Sequence, residues 1–179
     1  MSGVGRCYSY DIHDLGEDLK QPGFVTITDA MLNRVNRNAA KGIRTHIFAD
    51  EFHIAYENEY SGKFFTSAWR QFRKRNASPC AITQNVEYLL DSVQASTMLS
   101  NSEFIIMLNQ AESDQERLAR LLNISPEQMR YVNNAAAGSG LMRYGNALVP
   151  FVNKFPKDTQ LYKLITTKPG ESIFADERY

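Results

Sequence analysis

Short apolar runs alternate with longer amphipathic stretches through the first 109 residues of this 179-residue chain. Runs that are enriched in strand-forming residues predict four strands, at 7–12, 47–49, 80–84 and 103–109. Apolar residues at helical spacing predict the intervening helices, at 22–40, 63–75 and 86–100. This alternation is typical of a mostly parallel sheet with helices on both faces.

The pattern changes after residue 109, where capping signals mark the starts of two helices. Ser113 and Ser125 are each followed, three residues later, by the acid or amide that completes a capping box. A Gly-Asn turn between apolar runs predicts a β-hairpin at 141–152, and we expect an edge strand at 161–166. The chain is thus predicted to form one domain with an α/β core at 7–109, a helical pair at 110–137 and a hairpin with an edge strand at 138–168.

Composition is that of an ordinary globular domain, with 43% hydrophobic and 22% charged residues. The formal net charge is zero, so contact with nucleic acid or a membrane surface would need a local patch. The two cysteines, Cys7 and Cys80, make neither a disulfide framework nor a metal cluster, and we interpret Cys80 as a small core residue. This cysteine usage favours a reducing, intracellular compartment.

Polar side chains follow two consecutive strands of the predicted sheet. Asp50 and Glu51 come directly after the apolar run at 47–49, and Gln84 ends the next strand. The carboxyl ends of parallel strands form the edge where open α/β folds bind ligands. An Asp there can hold the water shell of Mg²⁺, a Glu can deprotonate the attacking water, and an amide can bond that water and a γ-phosphate oxygen. The alternative is a solvated acidic turn, with Gln84 capping a helix.

A basic cluster closes the helix predicted at 63–75, and it includes Arg70, Arg73, Lys74 and Arg75. Positive charge at a helix C-terminus complements the helix dipole. A guanidinium there can also reach the phosphate of a neighbouring subunit as an arginine finger, with Arg73 or Arg70 as the candidates and Arg143 as a rival.

Two further features of the sequence do not indicate a functional site. None of the three histidines, His13, His46 and His53, is spaced from another like a metal pair on one helix face, and we interpret them as structural or solvated. The Gly-Ser-Gly run at 138–140 is assigned to a turn. The chain nowhere contains the phosphate-loop pattern G-x-x-x-x-G-K-[ST].

An ordered set of motifs covers nearly the whole chain: 10–16, 44–53, 81–85, 98–102, 104–110, 121–125 and 149–156. Together they resemble the C-terminal part of the motor domain of conjugative-transfer ATPases of type IV secretion systems, of the kind found on Gram-positive conjugative transposons. The resemblance implies a RecA-like motor-ATPase sheet and ATP hydrolysis with Mg²⁺. It also implies hexamers at the cytoplasmic face of the membrane, with other secretion components and DNA or a relaxosome as partners.

The same resemblance implies roles for single residues. Asp50 would be the Mg²⁺-side acid, Glu51 the catalytic base and Gln84 the phosphate-sensing amide, whereas the arginine does not transfer securely. In the family the phosphate loop lies upstream of the position of Met1, and its strand lies inside the sheet beside the strand that here ends in Gln84. We therefore expect a piece of the motor whose gap is closed by neighbouring strands or by a second chain.

The family hydrolyses ATP, but we expect this chain by itself to be inactive and to hold neither ATP nor Mg²⁺ tightly, because it lacks the phosphate loop. The alternative function is a non-catalytic module that docks onto secretion components through its C-terminal helices and hairpin. A third option, a metal-dependent nuclease, would use Asp11, Asp50 and Glu51.

Overall fold

A computed structural model describes residues 7–12, 14–57, 59–84, 86–166, 168 and 170–171 of the chain. His13 and Asn85 are therefore outside the described residues. The chain divides into two compact units, Met1–Asn101 and Ser102–Tyr179.

The first unit is built on two parallel strands. Its elements in chain order are α1 Glu17–Ala39, β1 Thr45–Ala49, a 3₁₀ turn Phe52–Tyr56, α2 Glu59–Lys74, β2 Ala77–Ala81, α3 Glu87–Asp91 and α4 Val93–Ser100. β1 and β2 pair in parallel, with Ala49 opposite Ala81. Side chains alternate along β1, so that Ile47 is buried with Val35 of α1 and Phe72 of α2, and Ala49 is buried in a second cluster.

Aromatic rings fill the core behind the carboxyl end of this sheet. Phe65 is 0% exposed and its ring centroid lies 5.0 Å from that of Phe52, 5.4 Å from that of Phe24 and 5.5 Å from that of Trp69. Tyr56 closes the cluster edge-on to Phe52, and burial raises the pKa of its phenol above the ordinary value. The cluster therefore anchors the turn that follows β1 to α1 and α2.

Several predictions for the first unit are wrong. Residues 7–12 form no strand. The ring of Tyr8 instead lies beneath the Arg34 guanidinium, with 3.4 Å between the ring centroid and Arg34 Cζ. α1 begins at Glu17, so Pro22 lies inside the helix rather than in its first turn. Cys80 is exposed and not a core residue, because it shares the outer face of the sheet.

In the described part of the first unit, no helix covers that outer face, where the sequence pattern predicted a second helical layer. Phe48 is 72% exposed and lies opposite Cys80, which is also exposed. Helices α1 and α2 pack only on the side of Ile47 and Ala49 in the described part of this unit. Among the described residues, the parallel strand predicted at 103–109 does not pair with β2, so the expected direct closure of the gap is wrong, whereas closure by a second chain stays a prediction.

The second unit has an antiparallel sheet. Its elements are β3 Phe104–Met107, α5 Glu112–Leu122, α6 Pro126–Met129, β4 Ser139–Tyr144, β5 Ala147–Val152 and α7 Gln160–Ile165. The strand order is β3-β4-β5, and the predicted hairpin is confirmed as β4 and β5, which a Gly-Asn turn joins. The strand predicted at 161–166 is wrong, because Thr159 accepts a hydrogen bond from the Tyr162 amide and starts a helix there.

The two predicted capping boxes have different outcomes. Ser125 caps α6, since its hydroxyl accepts from the Gln128 amide while the Gln128 side chain accepts from the Ser125 amide. Ser113 lies inside α5, whose N-cap is Ala111, so its predicted capping box is wrong. Ser113 thus precedes Glu116 at the spacing of a capping box without starting a helix.

Replacing Ser125 with alanine is expected to destabilise α6 by about 1 kcal/mol, because the Gln128 amide loses the hydroxyl that accepts its hydrogen bond. Hydrogen exchange of the Gln128 amide, followed by NMR, measures this directly. Ser113→Ala is the matched control and should leave the exchange rates near α5 almost unchanged. Equal effects of the two substitutions would contradict the assignment of the caps.

Candidate active site

The two acids predicted from the sequence lie at the carboxyl end of β1. Backbone pairing with the neighbouring strand continues past them, because the Ile82 amide donates to the Ala49 carbonyl and the Phe52 amide donates to the Ile82 carbonyl. Asp50 is exposed, and its Oδ1 accepts a hydrogen bond of 2.9 Å from the Glu51 amide. The end of β2 is thereby held beside the two carboxylates.

Glu51 adopts the left-handed conformation, with φ 47° and ψ 44°. For a residue with a long side chain this costs about 1–2 kcal/mol, so the surrounding structure must hold it there. Phe52, which is 3% exposed, fixes the next position in the aromatic core, and the Ile54 amide donates to the Glu51 carbonyl. The chain therefore turns sharply at Glu51, as strained residues often do at functional sites.

This turn brings Glu51 to the predicted amide. Gln84 Nε2 donates to Glu51 Oε1 over 3.4 Å, and both side chains border solvent. The second oxygen, Oε2, lies 3.4 Å from Nδ1 of His53. Nδ1 also lies 3.2 Å from the Thr83 hydroxyl. The acid, the amide and an imidazole thus meet at one edge of the sheet.

Sequence reasoning missed His53 and Tyr88. His53 was interpreted as structural or solvated, yet the 3₁₀ turn returns it to the carboxylate that lies two residues earlier. Tyr88 of α3 stacks on the imidazole, with ring centroids 5.9 Å apart. The position of His53 depends on the tight turn after Glu51, and that turn depends on the buried contacts of Phe52. A local sequence pattern does not reveal such contacts.

The candidate arginines lie elsewhere. Arg70 and Arg73 are exposed near the C-terminal end of α2, which joins the start of β2. Strands of five residues separate the two edges of the sheet by about 16 Å. Arg143 belongs to β4 of the second unit, where its Nη2 donates to the Ser102 carbonyl over 2.6 Å.

Among the described residues, no group of three or more His, Cys, Asp or Glu side chains is arranged to hold a metal ion. The three-carboxylate site of the nuclease option, with Asp11, Asp50 and Glu51, is therefore not formed by these residues. Mg²⁺ can bind with fewer than three protein side chains, since it keeps several waters and often binds only one or two carboxylates. Asp50 fits that requirement, because it is exposed and its second oxygen accepts no described hydrogen bond.

The electrostatic surroundings of these residues are acidic. We call this edge the acidic end, and define it by Asp50, Glu51, Glu57, Glu59 and Glu87. Lys63 lies there too, but it is paired with Glu59 at 2.5 Å. A triphosphate would therefore meet net negative charge at this edge unless Mg²⁺ or further cations accompanied it.

Comparison with solved structures identifies the fold. VirB4 of Thermoanaerobacter pseudethanolicus superposes on 82% of this chain with a TM-score of 0.72 and 22% sequence identity. This chain has the fold of part of that VirB4 structure. The resemblance inferred from the motifs is therefore confirmed at the level of fold.

The chain spans 40% of the length of that VirB4 structure. No protein-family model matches the chain, and no curated protein matches it. No helix of the described residues is both long and apolar enough to cross a membrane.

Proposed function

We propose that this chain is part of an ATP-hydrolysing motor that energises type IV secretion and conjugative DNA transfer. The observation that carries the proposal is the contact between Glu51 and Gln84 at the carboxyl edge of a sheet with the VirB4 fold. A carboxylate and an amide at this edge match the base and the phosphate sensor of such motors.

In this proposal the residues divide the work of hydrolysis. Asp50 would hold Mg²⁺ through the water shell of the ion, which would supply positive charge beside the phosphates. Glu51 accepts a proton from the attacking water, and Gln84 bonds that water and the terminal phosphate. The left-handed turn and the buried Phe52 keep the carboxylate of Glu51 in place before substrate arrives.

The proposal also concerns the assembly. A hexamer would allow Arg73 or Arg70, which lie away from the acids of their own subunit, to reach a site on a neighbour. Other secretion components and DNA or a relaxosome are the proposed partners, at the cytoplasmic face of the membrane. Comparing the mass of the protein with and without ATP in solution tests the hexamer.

This chain alone is expected to hydrolyse ATP no faster than buffer does. It has no phosphate loop, and the acidic end repels the β- and γ-phosphates. Phosphate release from Mg²⁺-ATP measures the rate. A clear rate that Glu51→Gln abolishes would contradict the expectation, and reading the gene upstream for G-x-x-x-x-G-K-[ST] tests the origin of the missing loop.

A non-catalytic docking module is the second candidate, and the second unit favours it. Outward side chains of its sheet are apolar and exposed, with Phe104 at 53% and Ile106 at 54%. Exposed apolar groups of this kind are typical of protein contacts. If a complete protein carrying Glu51→Gln still supported transfer at the normal rate, the module would be favoured over the motor.

A further inference from the structure

Charge is strongly segregated along the first unit. No Asp or Glu occurs between Asp29 and Asp50, or between Glu59 and Glu87, whereas both stretches are rich in Arg and Lys. The topology brings the basic parts of both stretches to one edge of the sheet. α1 and α2 run opposite to β1 and β2, so both helices end where both strands begin.

We call this opposite edge of the sheet the basic end. It is defined by Arg37, Lys41, Arg44, Arg73, Lys74 and Arg75. The Asn38 side chain donates to the Thr45 hydroxyl, and the Thr45 amide donates to the Asn76 carbonyl, so the three segments that carry these cations are tied together. Five of the six side chains are exposed, and that of Arg75 is half-buried.

Within the part of the chain that the structure describes, no carboxylate pairs with the basic end. None of its six cations forms a salt bridge with a carboxylate of the described residues. Helix dipoles account for only part of the cluster, because Lys41 and Arg44 belong to the loop after α1 rather than to its last turn. A chain with zero net charge thus presents an uncompensated local patch.

The chemistry of the patch selects among polyanions. Four of the six cations are arginines, whose planar guanidinium groups bond phosphate through two parallel hydrogen bonds. Neighbouring amides, such as that of Asn76, also bond phosphate and sugar oxygens. Segments 37–44 and 73–75 contain no aromatic residue for base stacking. A membrane surface is less well matched, since Ile43 is the single large apolar side chain in these segments.

We propose that the basic end binds the phosphate backbone of nucleic acid, independently of base sequence. This inference rests on the proposed function, which names DNA as a partner, and it assigns that partner a surface. The surface lies at the opposite edge of the sheet from Glu51 and Gln84, and it shares Arg73 with the proposed arginine finger. Six phosphate contacts would make the logarithm of the binding constant fall with the logarithm of salt concentration with a slope of about −5.

Fluorescence anisotropy of the chain with two labelled 20-base-pair duplexes of unrelated sequence, from 50 to 200 mM NaCl, tests the proposal. We expect equal affinity for the two duplexes and a loss of about 10³-fold over this salt range. The double variant Lys41→Gln and Lys74→Gln should make the slope shallower by about 2. The matched control, Lys20→Gln and Lys63→Gln, removes the same charge from lysines that pair with Glu17 and Glu59, and should keep the original slope.

A second measurement uses the unaltered chain. Acetylation followed by mass spectrometry should show that duplex DNA protects Lys41 and Lys74 but not Lys20 and Lys63. The proposal is overturned if the two double variants bind DNA equally, if all four lysines are protected alike, or if the chain binds vesicles of phosphatidylserine and phosphatidylcholine but not DNA. Asp50→Asn should leave DNA binding intact whatever its effect on ATP hydrolysis. The failure of one proposal can therefore be distinguished from the failure of the other.

Discussion

Replacing Glu51 with glutamine is expected to lower kcat for ATP by about 10²–10⁴-fold in a complete protein that joins this chain to a phosphate loop. Glutamine is nearly isosteric with glutamate, and its side-chain oxygen can still accept the hydrogen bond from Gln84. It cannot accept a proton from water, so the chemical step loses its base while nucleotide binding is kept. Steady-state phosphate release and an independent measurement of ATP affinity distinguish these two effects.

Glu59→Gln is the matched control for this prediction. Glu59 belongs to the same acidic end, but its side chain is exposed in the first turn of α2 and pairs with Lys63. We expect its kcat to stay within about threefold of the original, since surface changes have small effects. A normal kcat in the Glu51 variant would remove the base from the proposed mechanism.

Phe65→Ala should destabilise the first unit by about 3–5 kcal/mol. The ring of Phe65 is 0% exposed and contacts three other aromatic rings, so its removal leaves a cavity that rigid neighbours cannot fill. Typical domains are stable by only about 5–15 kcal/mol, so this loss should remove a large fraction of the free energy of unfolding of the unit. Urea unfolding followed by the fluorescence of Trp69, the one tryptophan of the chain, reports on this unit alone.

Phe48→Ala provides the comparison, because it makes the same substitution on the exposed face of the sheet. In this chain its effect should stay within about 0.5 kcal/mol, as is usual for exposed positions. A loss of stability as large as that from Phe65→Ala would show that the outer face is buried in solution.

Local patterns predicted those elements whose cause is local. The apolar run at 47–49, the amphipathic spacing of α2 and the Gly-Asn turn of the hairpin each determine structure within a few residues. The capping signals show the limit of this reasoning. Ser113 and Ser125 carry equivalent patterns, yet only Ser125 caps a helix, because α5 begins before Ser113 is reached.

Strand pairing was beyond local reasoning. β3 has the apolar sequence of a strand in a parallel sheet, but it pairs antiparallel with β4, with Phe104 opposite Tyr144. Residues 7–12 have strand-forming composition, yet Tyr8 contacts Arg34 instead. Strand pairing depends on which partner strand is present and on how far away along the chain it lies. A window of a few residues contains neither piece of information.

The sequence alone determined the α/β class, the identities of Asp50, Glu51 and Gln84, and their positions after two successive strands. Only the tertiary structure decided that Glu51 turns into a left-handed conformation and meets both Gln84 and His53. It also gathered the cations of three separate segments at the opposite edge of the sheet. The physical reason is that chemistry resides in individual side chains, whereas proximity depends on backbone turns and helix directions that buried, long-range contacts fix.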